Sequence, residues 1–167
     1  MWKMSCCLFS GVAVVTLLAS PSLGSDAYSH VDVGRRHADA SAGYHAPEGI
    51  ARTQSRVGHV NLGRGLAVGL GAGGISLSHS IGVVRGGAGA AHNFQLSVGP
   101  DGTHTGHSGV VTRGGQSRVV SGGETWTGPG GSGGSNFATG SGRRTEAWAR
   151  SATRNRPSPP FRPPFRR

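Results

Sequence analysis

The chain has 167 residues, 31 of them glycine, a formal net charge of +10 and two cysteines. That length suits one domain with tails. With the cysteines confined to Cys6 and Cys7, a disulfide framework or a thiolate metal centre is excluded from the rest of the chain. Glycine adds backbone entropy to be lost on folding and no side chain to bury, so the composition points to a thin, repetitive β structure or to a chain that folds on a surface.

The N-terminus comes first in chain order. Lys3 precedes a run of small and apolar residues over 6–19, Pro21 ends that run, and Ser22-Leu23-Gly24 offers small residues to a signal peptidase. This is the layout of a secretory signal over residues 1–24, with cleavage expected before Ser25 and a secreted or cell-envelope destination. The apolar run is 14 residues long, short of the ~20 that a membrane-spanning helix needs. Past residue 24 no cysteine and no lysine remain, and every basic side chain other than histidine is arginine.

Residues 25–56 are polar and alanine-rich, without an apolar period, and read as a disordered segment. Residues 57–126 change character and read as a glycine-rich β domain. Leu66, Val68 and Leu70 alternate with small residues, as do Ile75, Leu77, His79, Ile81 and Val83, and then Phe94, Leu96 and Val98. Glycine-rich breaks at 71–74, 86–87 and 99–102 separate these runs, which is hairpin spacing. Further strands are expected over Thr105–Thr112, at Val119-Val120 and, as a short edge, over Thr125–Thr127. The alternation predicts that the Leu77 face of its strand is buried. Residues 79–87 also align with 107–115 at an offset of 28, sharing His, Ser, Val, Arg and the closing Gly-Gly. A meander of hairpins or a short β-solenoid-like stack would both give that spacing, and two copies fall short of the three that a solenoid needs. The expected fold is therefore mainly β, a small glycine-rich antiparallel meander or solenoid-like stack, flanked by disordered N- and C-terminal segments. Its core is expected to be thin, with 19 large apolar residues between Val57 and Trp126. Such a domain is marginal alone and gains from pairing its strand edges with another copy or from attachment to a surface.

Residues 127–142 are Gly/Ser-rich and read as a flexible linker. Residues 143–167 form an Arg/Pro-rich basic tail. Within it 145–154 has the makings of one or two helical turns capped by Thr145, and the proline-dense end favours polyproline II. The tail carries eight arginines against Glu146, whereas residues 25–142 carry eight arginines against six acids. Such asymmetry points to a basic tail that meets a polyanion. The candidate polyanion-binding residues are Arg143, Arg144, Arg150, Arg154, Arg156, Arg162, Arg166 and Arg167. The expected partners are an anionic polymer or an anionic membrane surface, with no specific nucleic acid.

Catalytic and metal motifs do not rise above the composition. His104 and His107 are three apart and would leave a strand on opposite faces, so one strand could not chelate a metal with both. The glycines around Gly69–Gly74 lack the helix and downstream acid of a dinucleotide loop. No cofactor and no enzymatic activity are expected. The leading reading is an exported, non-enzymatic structural or surface-associated protein. The alternative is a secreted cationic antimicrobial protein or peptide precursor, because Phe161–Arg167 is similar in composition to proline/arginine-rich antimicrobial peptides. Arg35-Arg36 and Arg143-Arg144 would be processing sites for a dibasic protease.

Overall fold

A computed structural model of the chain describes residues 24–156. The expected signal segment up to Leu23 and the proline-rich end from Pro157 lie outside the described residues. Ten strands follow one another: β1 (Ser25–Val33), β2 (Ala38–His45), β3 (Glu48–Arg56), β4 (Asn61–Gly71), β5 (Gly74–Arg85), β6 (Ala88–Gly99), β7 (Gly102–Arg113), β8 (Arg118–Gly128), β9 (Gly131–Ser141) and β10 (Arg144–Asn155). They form two antiparallel sheets, ordered β2-β1-β8-β9 and β10-β7-β6-β5-β4-β3. The sheets pack face to face, with β1 against β4 and β5, β8 against β5 and β6, and β9 against β7.

The meander from β3 to β7 follows from the alternation and its glycine breaks. The β5–β6 hairpin closes through Gly86-Gly87, with φ of 55° and 83°. Two successive positive φ angles make the tight turn whose twist matches that of the strands it joins, and glycine adopts them without strain. Gly114-Gly115, with φ of 78° and 74°, turn the chain out of β7 and across to β8 in the other sheet. The offset of 28 thus spans two steps of a meander. Strands β5, β6 and β7 are each 12 residues long and separated by two-residue turns, so β7 repeats the direction of β5. The chain is a meander rather than a solenoid-like stack.

Three segments differ from the sequence reading. Residues 25–56, read as disordered, supply β1, β2 and β3. The glycine-rich stretch read as a linker supplies β9, and residues 144–155 are the edge strand β10 rather than helical turns. In each case the side chains lack the apolar alternation that announces a strand. The pairing partner imposes one: β1 sits between β2 and β8, β9 pairs along all of β8, and β10 pairs along all of β7.

The buried face is also the reverse of the one expected. In β5 the residues between the sheets are Ser76, Ser78, Ser80, Gly82 and Val84, whereas Ile75, Leu77, His79, Ile81 and Val83 lie on the outer side. In β6 the interior set is Gly89, Ala91, Asn93, Gln95 and Ser97, and Phe94, Leu96 and Val98 face out. Of the 19 large apolar residues between Val57 and Trp126, only Val84, Val110 and Val119 are buried. With Val33, Ala38 and Ala91 they make a small apolar cluster.

Apart from Ala27, Val31 and Ala67, the rest of the interior is chiefly polar, and many of its side chains are joined by hydrogen bonds, although Asn93 Oδ1, Gln95 Oε1, Ser97 Oγ, His104 Nε2, Thr112 Oγ1 and Ser121 Oγ have no partner among the described residues. Ser29 Oγ lies 2.8 Å from Ser78 Oγ and 2.9 Å from Ser80 Oγ across the two sheets. Ser76 Oγ donates to the Ser25 carbonyl at 2.6 Å, Gln95 Nε2 to the Ser135 carbonyl at 2.6 Å, and Ser108 Oγ to the Phe137 carbonyl at 2.8 Å. Each such bond adds only about 0.5–1.5 kcal/mol net, but leaving the groups unpaired in the interior would cost more. Glycine makes the close approach possible. A Cβ on Gly65 of β4 would stand 2.6 Å from the Ser41 carbonyl oxygen of β2, and one on Gly69 would stand 2.8 Å from that of Asp26. The two backbones meet where an ordinary sandwich would interleave side chains.

Candidate functional site

The registers place the outward side chains of the six-stranded sheet on a grid. Read from β3 to β10, one row runs Arg56, Leu62, Val83, Ala90, Val111, Glu146, and the next runs Gln54, Arg64, Ile81, His92, Gly109, Trp148. Then come Arg52, Leu66, His79, Phe94, His107, Arg150, followed by Ile50, Val68, Leu77, Leu96, Thr105, Ala152, and by Glu48, Leu70, Ile75, Val98, Thr103, Arg154. Arg85, Ala88, Arg113 and Arg144 close one end. The columns of β4, β5 and β6 are chiefly aliphatic. The arginines stand mostly at the perimeter: on the β3 edge, on the β10 edge and across the closed end.

Eight arginines therefore share this face with two glutamates. The opposite face of the sandwich carries the other sign. On the outer side of the four-stranded sheet the registers align Asp26, Asp32, Asp39 and Glu124 with a single arginine, Arg118. Arg118 Nε donates to Asp32 Oδ1 at 2.8 Å and its Nη2 to Oδ2, and His37 Nε2 lies 3.0 Å from Oδ1. The Arg118 guanidinium, aided by His37, holds the Asp32 carboxyl down at about 2 against the opposing effect of burial.

Five of the eight arginines singled out in the sequence lie among the described residues. Arg144, Arg150 and Arg154 project from the outer face of β10. Arg143 sits in the β9–β10 turn, where its N–H donates to the Gly114 carbonyl at 3.0 Å. Arg156 follows the strand, its N–H donating to the Asp101 carbonyl at 2.8 Å. Arg162, Arg166 and Arg167 lie outside the described residues. The tail arginines on β10 thus share one face with Arg52, Arg56, Arg64, Arg85 and Arg113, which the sequence reading did not include. A signal for those five was present, since all but Arg113 hold the parity of the large apolar residues in or beside their own run.

An aromatic cluster lies inside the rim. His107 and Trp148 have ring centroids 5.1 Å apart and nearly perpendicular planes, and His92 completes the group at 5.7 Å from Trp148. Trp148 lies over its cross-strand partner Gly109, just as Trp126 lies over Gly133 and Tyr28 over Gly43 on the other sheet. A ring that covers a cross-strand glycine restores the packing that the missing side chain forfeits. A shallow groove of about 330 Å³ borders the cluster, lined by Phe94, Thr105, His107, Arg150 and Ala152. His79, 3.2 Å from Arg64 Nε, and His92 both have lowered pKa values, chiefly because burial disfavours the cation. Both rings are therefore neutral at neutral pH.

The histidine pair at 104 and 107 divides as the strand period requires. His107 is on the outer face, and His104 is buried between the sheets with Nδ1 2.7 Å from Thr153 Oγ1. Among the described residues no three His, Cys, Asp or Glu side chains are grouped to hold a metal ion.

The fold and this surface define an antiparallel β-sandwich with two faces of opposite charge, one of them apolar at its centre. Comparison of the chain with protein families, with characterised proteins and with solved structures finds no match.

Proposed function

We propose that this is an exported, non-enzymatic, surface-associated protein that binds anionic partners through the arginines on the outer face of its six-stranded sheet. One observation carries the reading: eight arginines against two glutamates on that face, with the surplus of acids on the opposite one. Arginine presents a planar fork of donors that pairs with phosphate, sulfate or carboxylate in two parallel bonds. Spread along strand edges, such forks suit a surface that repeats its charge. Arg144, Arg150 and Arg154 supply the tail's share of the site, and Arg143 and Arg156 flank it.

The test compares two variants for binding to heparin. Arg144, Arg150 and Arg154 replaced by Gln should weaken binding and flatten its salt dependence, because each guanidinium removed takes away a screened attraction. Arg36 and Arg118 replaced by Gln, on the side of the four-stranded sheet, remove two such charges and should have a much smaller effect per charge. Equal loss per charge from the two variants would reduce the attraction to net charge and sink the assignment to this face. The antimicrobial-precursor reading is less favoured, because release of residues 145–167 would strip nearly all of a strand that pairs at twelve positions.

A further inference from the structure

We infer that the apolar centre of the six-stranded sheet seats on an anionic lipid bilayer, with the rim arginines among the headgroups. The inference rests on the anionic-partner reading and names the partner. Phe94, Val98 and Trp148 are 37%, 43% and 44% exposed, and the columns of β4, β5 and β6 adjoin them, aliphatic except at Arg64, His79 and His92. A soluble polyanion can pair with the rim but has nothing to place against such a centre. Exposed apolar area of this extent marks an interaction surface, and hydrocarbon is the partner that gains from it.

Charge decides among the other occupants. A second copy that used the same face would set one arginine rim on another. A second copy that offered its four-stranded face would press Asp26 and Glu124 into aliphatic surroundings, where unpaired carboxylates are costly. The chain's own residues 157–167 bring Arg162, Arg166 and Arg167, again of the rim's sign. An anionic bilayer alone supplies hydrocarbon within and negative charge around. Spanning is a different matter. A membrane barrel needs an apolar band all round, and Asp26, Asp32, Asp39 and Glu124 interrupt it on the opposite sheet. The sandwich therefore lies on the bilayer by one face, its acidic face towards water, with Trp148 at the depth where indole rings settle.

The experiment uses the chain from Ser25 to Arg167, which holds all ten strands and the two tryptophans Trp126 and Trp148, one on each face. With Trp126→Phe, Trp148 reports alone, and with Trp148→Phe, Trp126 does. On vesicles of mixed phosphatidylcholine and phosphatidylglycerol, Trp148 emission should shift to the blue and Trp126 emission should not. Vesicles of phosphatidylcholine alone should give a much weaker response. Phe94→Ser with Leu96→Ser should lower affinity for mixed vesicles by about tenfold and leave heparin binding unchanged. A shift at Trp126 instead of Trp148, which needs no change to the apolar centre, would overturn the proposal. So would undiminished vesicle binding by the folded serine variant, which would leave the anionic-partner reading standing on charge alone. A dimer in sedimentation that the serine variant abolishes would mean that a second copy covers the face. Failure of the parent chain to bind either heparin or mixed vesicles would sink the underlying reading itself.

Discussion

Replacing Gly65 with Val, set beside Leu77 with Asp, tests which side of the sheets is the interior. A Cβ on Gly65 would stand 2.6 Å from the Ser41 carbonyl oxygen, 3.4 Å from Ser29 Cβ and 3.5 Å from the His30 carbonyl oxygen. The first of these is backbone in the facing sheet and cannot swing aside. Valine adds two methyl groups beyond that Cβ, so the sheets must part or the strand must shift. Overpacking of this kind costs about 3 kcal/mol, a large share of the ~5–15 kcal/mol that holds a domain together. For a domain of this size the melting temperature should fall by about 10–15 °C. Leu77 is on the outer face and only partly buried, between Val68 and Leu96. Changing it to Asp forfeits roughly half of the ~1.5–3 kcal/mol of full burial, plus a few tenths for strand preference. A fall of about 4–6 °C follows. Thermal melts by circular dichroism, with urea titrations to compare midpoints, would separate the two. If Leu77→Asp were unfolded at room temperature while Gly65→Val melted like the parent, the apolar face would be the interior and the polar interior would be wrong.

Three further outcomes follow from the same structure. Asp32 has its carboxyl depressed from 3.8 to about 2, first by Arg118, so its stabilisation is whole above pH 3.8 and is lost as pH falls towards 2. The pair is partly solvated and is worth ~1 kcal/mol at most; Asp32→Asn should cost no more than that and remove its part of the acid sensitivity, as urea midpoints across the window would show. Burial lowers the His104 pKa below 6.5, so the unfolded chain takes up the proton first and stability should decline as pH drops below 6.5. His104→Gln should flatten that slope, and an unchanged slope would mean that the ring is not held neutral between the sheets. A chain stopped at Gly142 loses β10 and its twelve paired positions on β7. It should melt lower and self-associate through the bared β7 edge, whereas an unchanged melt and a monomer in size-exclusion chromatography would show that β10 is not part of the sheet.

By itself the sequence determined the strand period and the corners. Leu66–Leu70, Ile75–Val83 and Phe94–Val98 alternate, and the Gly-Gly pair at 86–87 closes the β5–β6 hairpin, because a two-residue side-chain period and a positive φ are local properties. It could not determine which of the two alternating sets faces inward. A strand such as β5 carries a leucine–isoleucine set and a serine–glycine set, and both satisfy the same hydrogen-bond ladder. The facing sheet decides between them, and that sheet is assembled from β8 and from β1, β2 and β9, whose polar and glycine-rich residues give little local sign of strand. Because its backbone approaches to within a carbonyl's reach of Gly65 and Gly69, only the small polar set fits between, and the large apolar set is left outside. The arginine rim has the same origin. Arg52, Arg113 and Arg150 are far apart in the chain, and only the cross-strand registers, set by pairing between distant segments, bring them to the border of one face.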